Sequence, residues 1–184
     1  MHWARTRLLL IGLLAACAVA GARVGAQSAS GADVKAAFLL NFAKFVEWPA
    51  VALPSGQPIV IGVLGSNKIA ESLARLADGR MVNGRAVQVR RVAAGDETAM
   101  LHLLFIDSSE RDRVGDVVKK IGGASVLTVS DAPRFLDAGG VIQLRNEDDR
   151  VRFDVDLEHA RGSQLVINSK LLALAGIVNP AKTH

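Results

Sequence analysis

Residues 58–65 read PIVIGVLG, and residues 66–77 that follow read SNKIAESLARLA. The first is an unbroken apolar run rich in β-branched residues, as expected of a strand buried on both faces. The second places Ile69, Leu73, Leu76 and Ala77 at helical spacing. The unit recurs downstream. LLFI (103–106) reads as a buried strand, SSERDRVGDVVKKI (108–121) as a helix with Ser at its start and Lys near its end, and SVLTVS (125–130) as the next strand. Alternating strands and helices predict a mostly parallel sheet with helices on both faces, a three-layer α/β sandwich.

The flanking segments extend this pattern. Asn83-Gly84 predicts a tight turn, and AVQVRRV beside it alternates like a strand. GVIQLR (140–145), the polar NEDDR turn and VRFDVDL (151–157) predict a C-terminal antiparallel hairpin. Leu165 to Ile167 is expected to add a short edge strand, and SKLLALAGIV (169–178) to close the chain with a helix. Ahead of the first strand, FLLNFAKFVEWP (38–49) is a helix-length run stopped by Pro49 and Pro54. On a wheel of about 100° per residue, Phe38, Phe42 and Phe45 lie within about 60° of one another, with Val34, Leu39 and Val46 beside them. That arc predicts the core face. Leu40 and Trp48 fall on the other side with Asn41, Lys44 and Glu47, so either a second layer of the fold or a partner is needed to cover them. Leu40, Asn41, Lys44 and Trp48 are therefore the candidate partner-binding residues, for another protein or for a second subunit of a homodimer.

The N-terminus is expected to be a targeting segment. MHWARTR is followed by LLLIGLLAACAVAGA, an apolar stretch too short to span a bilayer and remain there. Residues 1–26 read as a secretory signal cleaved before Gln27, residues 27–32 as a flexible lead-in, and residues 33–180 as one domain. Leu14-Ala15-Ala16-Cys17 also has the form of a lipobox, but the apolar run continues past Cys17 where a lipoprotein turns polar. The whole chain has 22 basic and 18 acidic residues, a net charge of +4. Losing Arg5, Arg7 and Arg23 leaves 19 basic against 18 acidic residues, or +1, so its charge gives no argument for nucleic acid. The same cut removes the one Cys, and with it thiol chemistry and Cys-ligated metal.

Catalytic patterns are not found. No G-x-S-x-G elbow occurs, and after processing only His102, His159 and His184 remain, each without a partner at a spacing that demands a role. There is no H-E-x-x-H, so neither metal nor cofactor is expected. If VRFDVDLE continues as a strand, Arg150, Arg152, Asp154, Asp156 and Glu158 share a solvated face, opposite Val151, Phe153, Val155 and Leu157. Glu147-Asp148-Asp149 lacks the further oxygen ligands of a calcium loop. Three strand-to-helix junctions carry small or hydroxyl residues: Gly65-Ser66-Asn67, Asp107-Ser108-Ser109 and Ser130-Asp131. In a parallel sheet these emerge at the carboxyl edge, where ligands sit, so Gly65, Ser66, Asn67, Ser108, Ser130 and Asp131 are candidate ligand-binding residues. Ordinary helix capping explains each of them separately and is the favoured reading, since no G-x-G-x-x-G or G-K-S/T accompanies Gly65.

Six segments in one order carry a resemblance. VKAAFLLNFAKFVEWP, VIGVLG, NGRAVQVRRV, SDAPRFLDAGGVIQL, FDVDLEHA and SKLLALA resemble the YfiR family of periplasmic regulators, from about Val34 to Ile177. The resemblance implies an exported, non-catalytic α/β domain that holds a membrane-bound diguanylate cyclase inactive through its periplasmic part, lowering cyclic di-GMP and restraining biofilm formation. It also implies cysteine pairs, which this chain lacks beyond Cys17, so redox control does not carry over. The alternative from the residues alone is an exported small-ligand binder or enzyme using the carboxyl edge of the sheet.

Overall fold

The computed structural model describes residues 30–178 except Ala94, Ala99 and Asp149. The expected signal segment with Cys17, the first residues of the lead-in, Asp149 of the hairpin turn and the C-terminal His184 lie outside the described residues.

Helix α1 (Gly31–Phe45) begins where Ser30 Oγ accepts a hydrogen bond from the Asp33 N–H, and Lys44 sits in its last turn. The chain then extends through β1 (Val46–Glu47) to β2 (Ile59–Leu64), in which all six residues are buried. Ile59, Ile61 and Val63 enter one core cluster, while Val60 and Leu64 enter a second on the opposite face. An alternating two-sided burial of this kind is why the strand's sequence is continuously apolar. Helix α2 (Asn67–Ala77) is capped by Ser66 and buries Ile69, Ala70, Leu73 and Ala77. Strands β3 (Met81–Val82) and β4 (Arg85–Val92) form a hairpin around Asn83 and Gly84, whose positive φ values of 50° and 75° suit the expected two-residue turn.

The second unit is β5 (Leu103–Ile106), a 3₁₀ turn (Ser108–Arg113), α3 (Val114–Ile121) and β6 (Leu127–Ser130). The expected single helix over 108–121 is thus half 3₁₀, and its cap is Asp107, which accepts from the Ser109 N–H, rather than Ser108. The C-terminal hairpin pairs β7 (Ile142–Glu147) with β8 (Arg150–Asp156) antiparallel. Helix α4 (Leu157–Gly162), β9 (Val166–Ile167), α5 (Ser169–Leu172) and β10 (Gly176–Val178) follow.

Eight strands form the main sheet in the order β10-β8-β7-β6-β5-β2-β4-β3. The run from β7 through β4 is parallel, with antiparallel joins at β7–β8 and β3–β4. The α1/α2 side covers one face. On the other face Val114 and Ile121 of α3 pack with Phe135 and Leu136 of the segment before β7.

Three expectations need correcting. The closing helix stops at Leu172, and Ile177 instead pairs with Val155, so that β10 edges the sheet. A short apolar run fits either state, and here the open side of β8 provides backbone partners. Residues 166–167 form a strand as expected, but it pairs with β1 in a separate two-stranded sheet. The charged strand face ends early. Asp156 is fully buried, and the chain turns there into α4, so Glu158 belongs to a helix.

Candidate functional site

The parallel order of β2, β5 and β6 brings the three junctions together at the carboxyl edge. Several of their polar groups are engaged within the fold, and Ser108 and Asp131 join two of the junctions directly. Gly65 adopts φ +94°, and a Cβ there would come within 2.8 Å of Glu110 Cγ and 2.9 Å of Ser109 Oγ, so the residue is glycine because the 107–110 segment packs on it. Ser66 Oγ accepts from the Ile69 N–H at 3.3 Å as a helix cap, and Asn67 is exposed. Ser130 is fully buried, donating to the Ile106 carbonyl at 2.6 Å and accepting from the Ala132 N–H at 2.9 Å, so it stitches β6 to β5. Asp131 Oδ1 accepts from the Ser108 N–H at 2.7 Å, and Oδ2 pairs with Lys35 of α1. That carboxylate occupies the position at a helix start where an exogenous anion would bind. What remains is a cleft of about 480 Å³ with mixed charge, including Lys35, Asp131, Arg145 and Glu147.

For the first helix the sequence leaves open whether the fold or a partner covers Leu40 and Trp48. Leu40 is in fact buried at 8% exposure within the α1-side core, among residues such as Leu39, Phe42 and Ala43. The helix packs beside α2 as well as toward the sheet, and it ends at Phe45, so Trp48, beyond β1, has no place on its wheel. Phe42 is fully buried, while Phe38 and Phe45 are half-buried, so the core arc is centred nearer Leu39 and Ala43 than the three phenylalanines implied. Trp48 is half-buried and its indole N–H donates to the His102 carbonyl at 2.9 Å. Asn41 and Lys44 are exposed, Lys44 lying 5.5 Å from the Phe45 ring centre. The four partner candidates therefore separate into two open polar residues and two that the chain itself engages.

At the opposite, amino edge His102 joins three segments. Its Nδ1 accepts from the Val60 N–H at 3.0 Å, which leaves the proton on Nε2 to donate to the Ala52 carbonyl at 3.1 Å. Burial lowers its pKa below the usual 6.5, the Ala52 carbonyl acts in the opposite sense, and the Arg85 charge adds to the lowering. Arg85 itself donates to the carbonyls of Pro54 at 2.6 Å and Gln57 at 2.9 Å. The 49–57 loop is thus latched by a neutral imidazole and a guanidinium, beside a cavity of about 620 Å³. The sequence showed His102 only as a His opening an apolar strand; its contacts are all long-range.

Asp156 caps α4 by accepting from the His159 N–H at 2.9 Å. Its other oxygen is 3.2 Å from His159 Nδ1, within ion-pair distance though not aligned for a hydrogen bond. Among the described residues no group of three or more His, Cys, Asp or Glu side chains is arranged to hold a metal. No helix among them is long and apolar enough to cross a membrane.

None of the curated proteins matches this chain. A family model does, over residues 32–176, which takes in the carboxyl edge, the first helix and the His102 latch alike. By that match the chain belongs to the YfiR/HmsC-like family.

Proposed function

We propose that this protein is an exported, non-catalytic regulator that binds the periplasmic part of a membrane-bound diguanylate cyclase and restrains it, lowering cyclic di-GMP and biofilm formation. The match over residues 32–176 carries the reading, because it spans nearly all of the described fold. The carboxyl edge adds support: Ser130 and Asp131 spend their oxygens on the fold itself, which leaves fewer groups there to bind a nucleotide. The alternative of a small-ligand site there rests on the mixed-charge cleft beside Asp131 alone. The mature domain would run from about residue 33 to 180 after removal of the signal segment. Of the candidate residues, Asn41 and Lys44 on α1 are the two open to a partner. Deleting the gene should raise cellular cyclic di-GMP, while the purified protein neither makes nor degrades the dinucleotide. Unchanged cyclic di-GMP in the deletion strain would remove the restraint model.

A further inference from the structure

Strand β4 is eight residues long, and no part of it is paired on both sides. β2 pairs with Val87–Val92, while β3, on the opposite side, reaches only Arg85 and Ala86. From Val87 to Val92 the outer edge has no strand beside it among the described residues. No residue of β4 is buried, whereas every residue of β2 is. Val82 and Arg85 flank a two-residue turn, so they exchange hydrogen bonds with each other. Alternation along the strand then turns the N–H and C=O groups of Val87, Val89 and Arg91 to the same, open side.

The surroundings of this edge have a definite chemistry. On the α2 face lies a hollow of about 300 Å³ whose walls include Ala74, Ala77, Met81, Val87 and Val89, small or apolar residues that would receive alternate side chains of an added strand. Met81 is 62% exposed there. On the other face Gln88 and Arg90 are exposed. The strand and the walls of the hollow carry Arg80, Arg85, Arg90 and Arg91 against one carboxylate, Asp78, although Arg85 is held by the 49–57 loop. Arg91 is paired to Glu71 at 3.0 Å.

We infer that the outer edge of β4 accepts an extended, acidic segment of another protein as a further strand. The row of backbone groups supplies affinity, the hollow selects small apolar side chains on one face, and Arg90 selects carboxylates on the other. A second copy of this chain is a poorer occupant, since pairing β4 with itself brings two arginine-rich strands together. The inference is independent of the cyclase reading, because a strand from any protein would satisfy it, whatever cyclic di-GMP does in the deletion strain.

The test titrates the isotopically labelled mature protein with a capped peptide of about ten residues in which valine alternates with glutamate. The amide signals of Val87, Val89 and Arg91 should shift, with binding detectable below about 1 mM. Arg90→Glu should weaken binding about tenfold. Val89→Pro should abolish it while keeping the ladder to β2, because the lost N–H faces outward. The same peptide N-methylated at every residue, so that whichever donors face β4 are removed, should not bind, which keeps the test valid even if Val89→Pro fails to fold. Absence of binding at 1 mM peptide, shifts confined to other strands, an unaffected Arg90→Glu, or equal binding of a valine-free polyglutamate would each overturn the inference.

Discussion

Truncating Phe42 to alanine should cost far more stability than truncating Trp48, although both residues come from one short stretch. Phe42 is fully buried, with its ring centre 5.8 Å from Phe38 and 5.1 Å from Phe153, in tilted and edge-on contacts. Removing the ring loses its transfer free energy and leaves a cavity between α1 and β8. Neither backbone can collapse into that space without breaking helix or ladder bonds. The expected loss is therefore about 4 kcal/mol, within the usual 3 to 5 for a buried Phe. A domain of this size loses about 2 to 4 °C in Tm per kcal/mol, so Tm should fall by about 8 to 16 °C. Trp48 is only half-buried, and its lost hydrogen bond is worth about 1 kcal/mol. The carbonyl it leaves on His102 still accepts from the Leu127 N–H at 2.9 Å, so no orphaned acceptor is created. With the ring's partial burial the total is about 2 kcal/mol, or about 4 to 8 °C. Thermal unfolding followed by circular dichroism, with urea midpoints as a second measure, tests the order. A Phe42→Ala protein that loses less than about 4 °C, or a Trp48→Ala protein that falls as far as Phe42→Ala, would refute the packing argument.

Three further outcomes are expected. His102 is depressed below 6.5 by burial, so between its folded and unfolded pKa values the unfolded chain binds more protons. The stability it contributes is present above pH 6.5 and is lost as pH falls through the folded value, since imidazolium cannot accept from Val60. Urea midpoints between pH 5 and 7.5 should fall on acidification, with a shallower slope in His102→Asn; equal slopes would remove the latch. Asp131→Ala should cost about 1 to 3 kcal/mol, because the Ser108 N–H and Lys35 lose their acceptor. Asp131→Asn, which keeps one acceptor oxygen, should cost less, and a reversed order in urea titrations would contradict the assignment. Intact-mass measurement of the native protein should give a chain beginning at Gln27, and a lipid-modified Cys17 at its start would defeat the export reading.

Much of the architecture was readable in the sequence, because burial on two faces writes itself as unbroken apolar strands. PIVIGVLG, LLFI and SVLTVS become three central parallel strands, and the Asn83-Gly84 turn closes the hairpin its residue types require. The amphipathic spacing of SNKIAESLARLA likewise appears as α2. Short segments were harder. SKLLALAGIV has an apolar content that fits helix or strand, and its division into α5 and β10 depends on the unpaired side of β8.

The candidate sites divide along the same line. Residue types and order alone placed Gly65, Ser108 and Asp131 at one sheet edge, since strand direction follows from the βαβ pattern. Only the tertiary structure decided that Asp131 closes that edge with Ser108 and Lys35, because Lys35 is 96 residues away and no local spacing encodes the contact. The spare apolar residues of FLLNFAKFVEWP were settled in the same way. A helical wheel reports one face against another, whereas Leu40 is buried in the α1-side core despite its place on the wheel, and Trp48, beyond the end of the helix, is held by His102, 54 residues distant. The open edge of β4 belongs wholly to the tertiary structure, since whether a strand has a neighbour depends on the order of the sheet, and an alternating strand sequence is the same at its centre and at its rim.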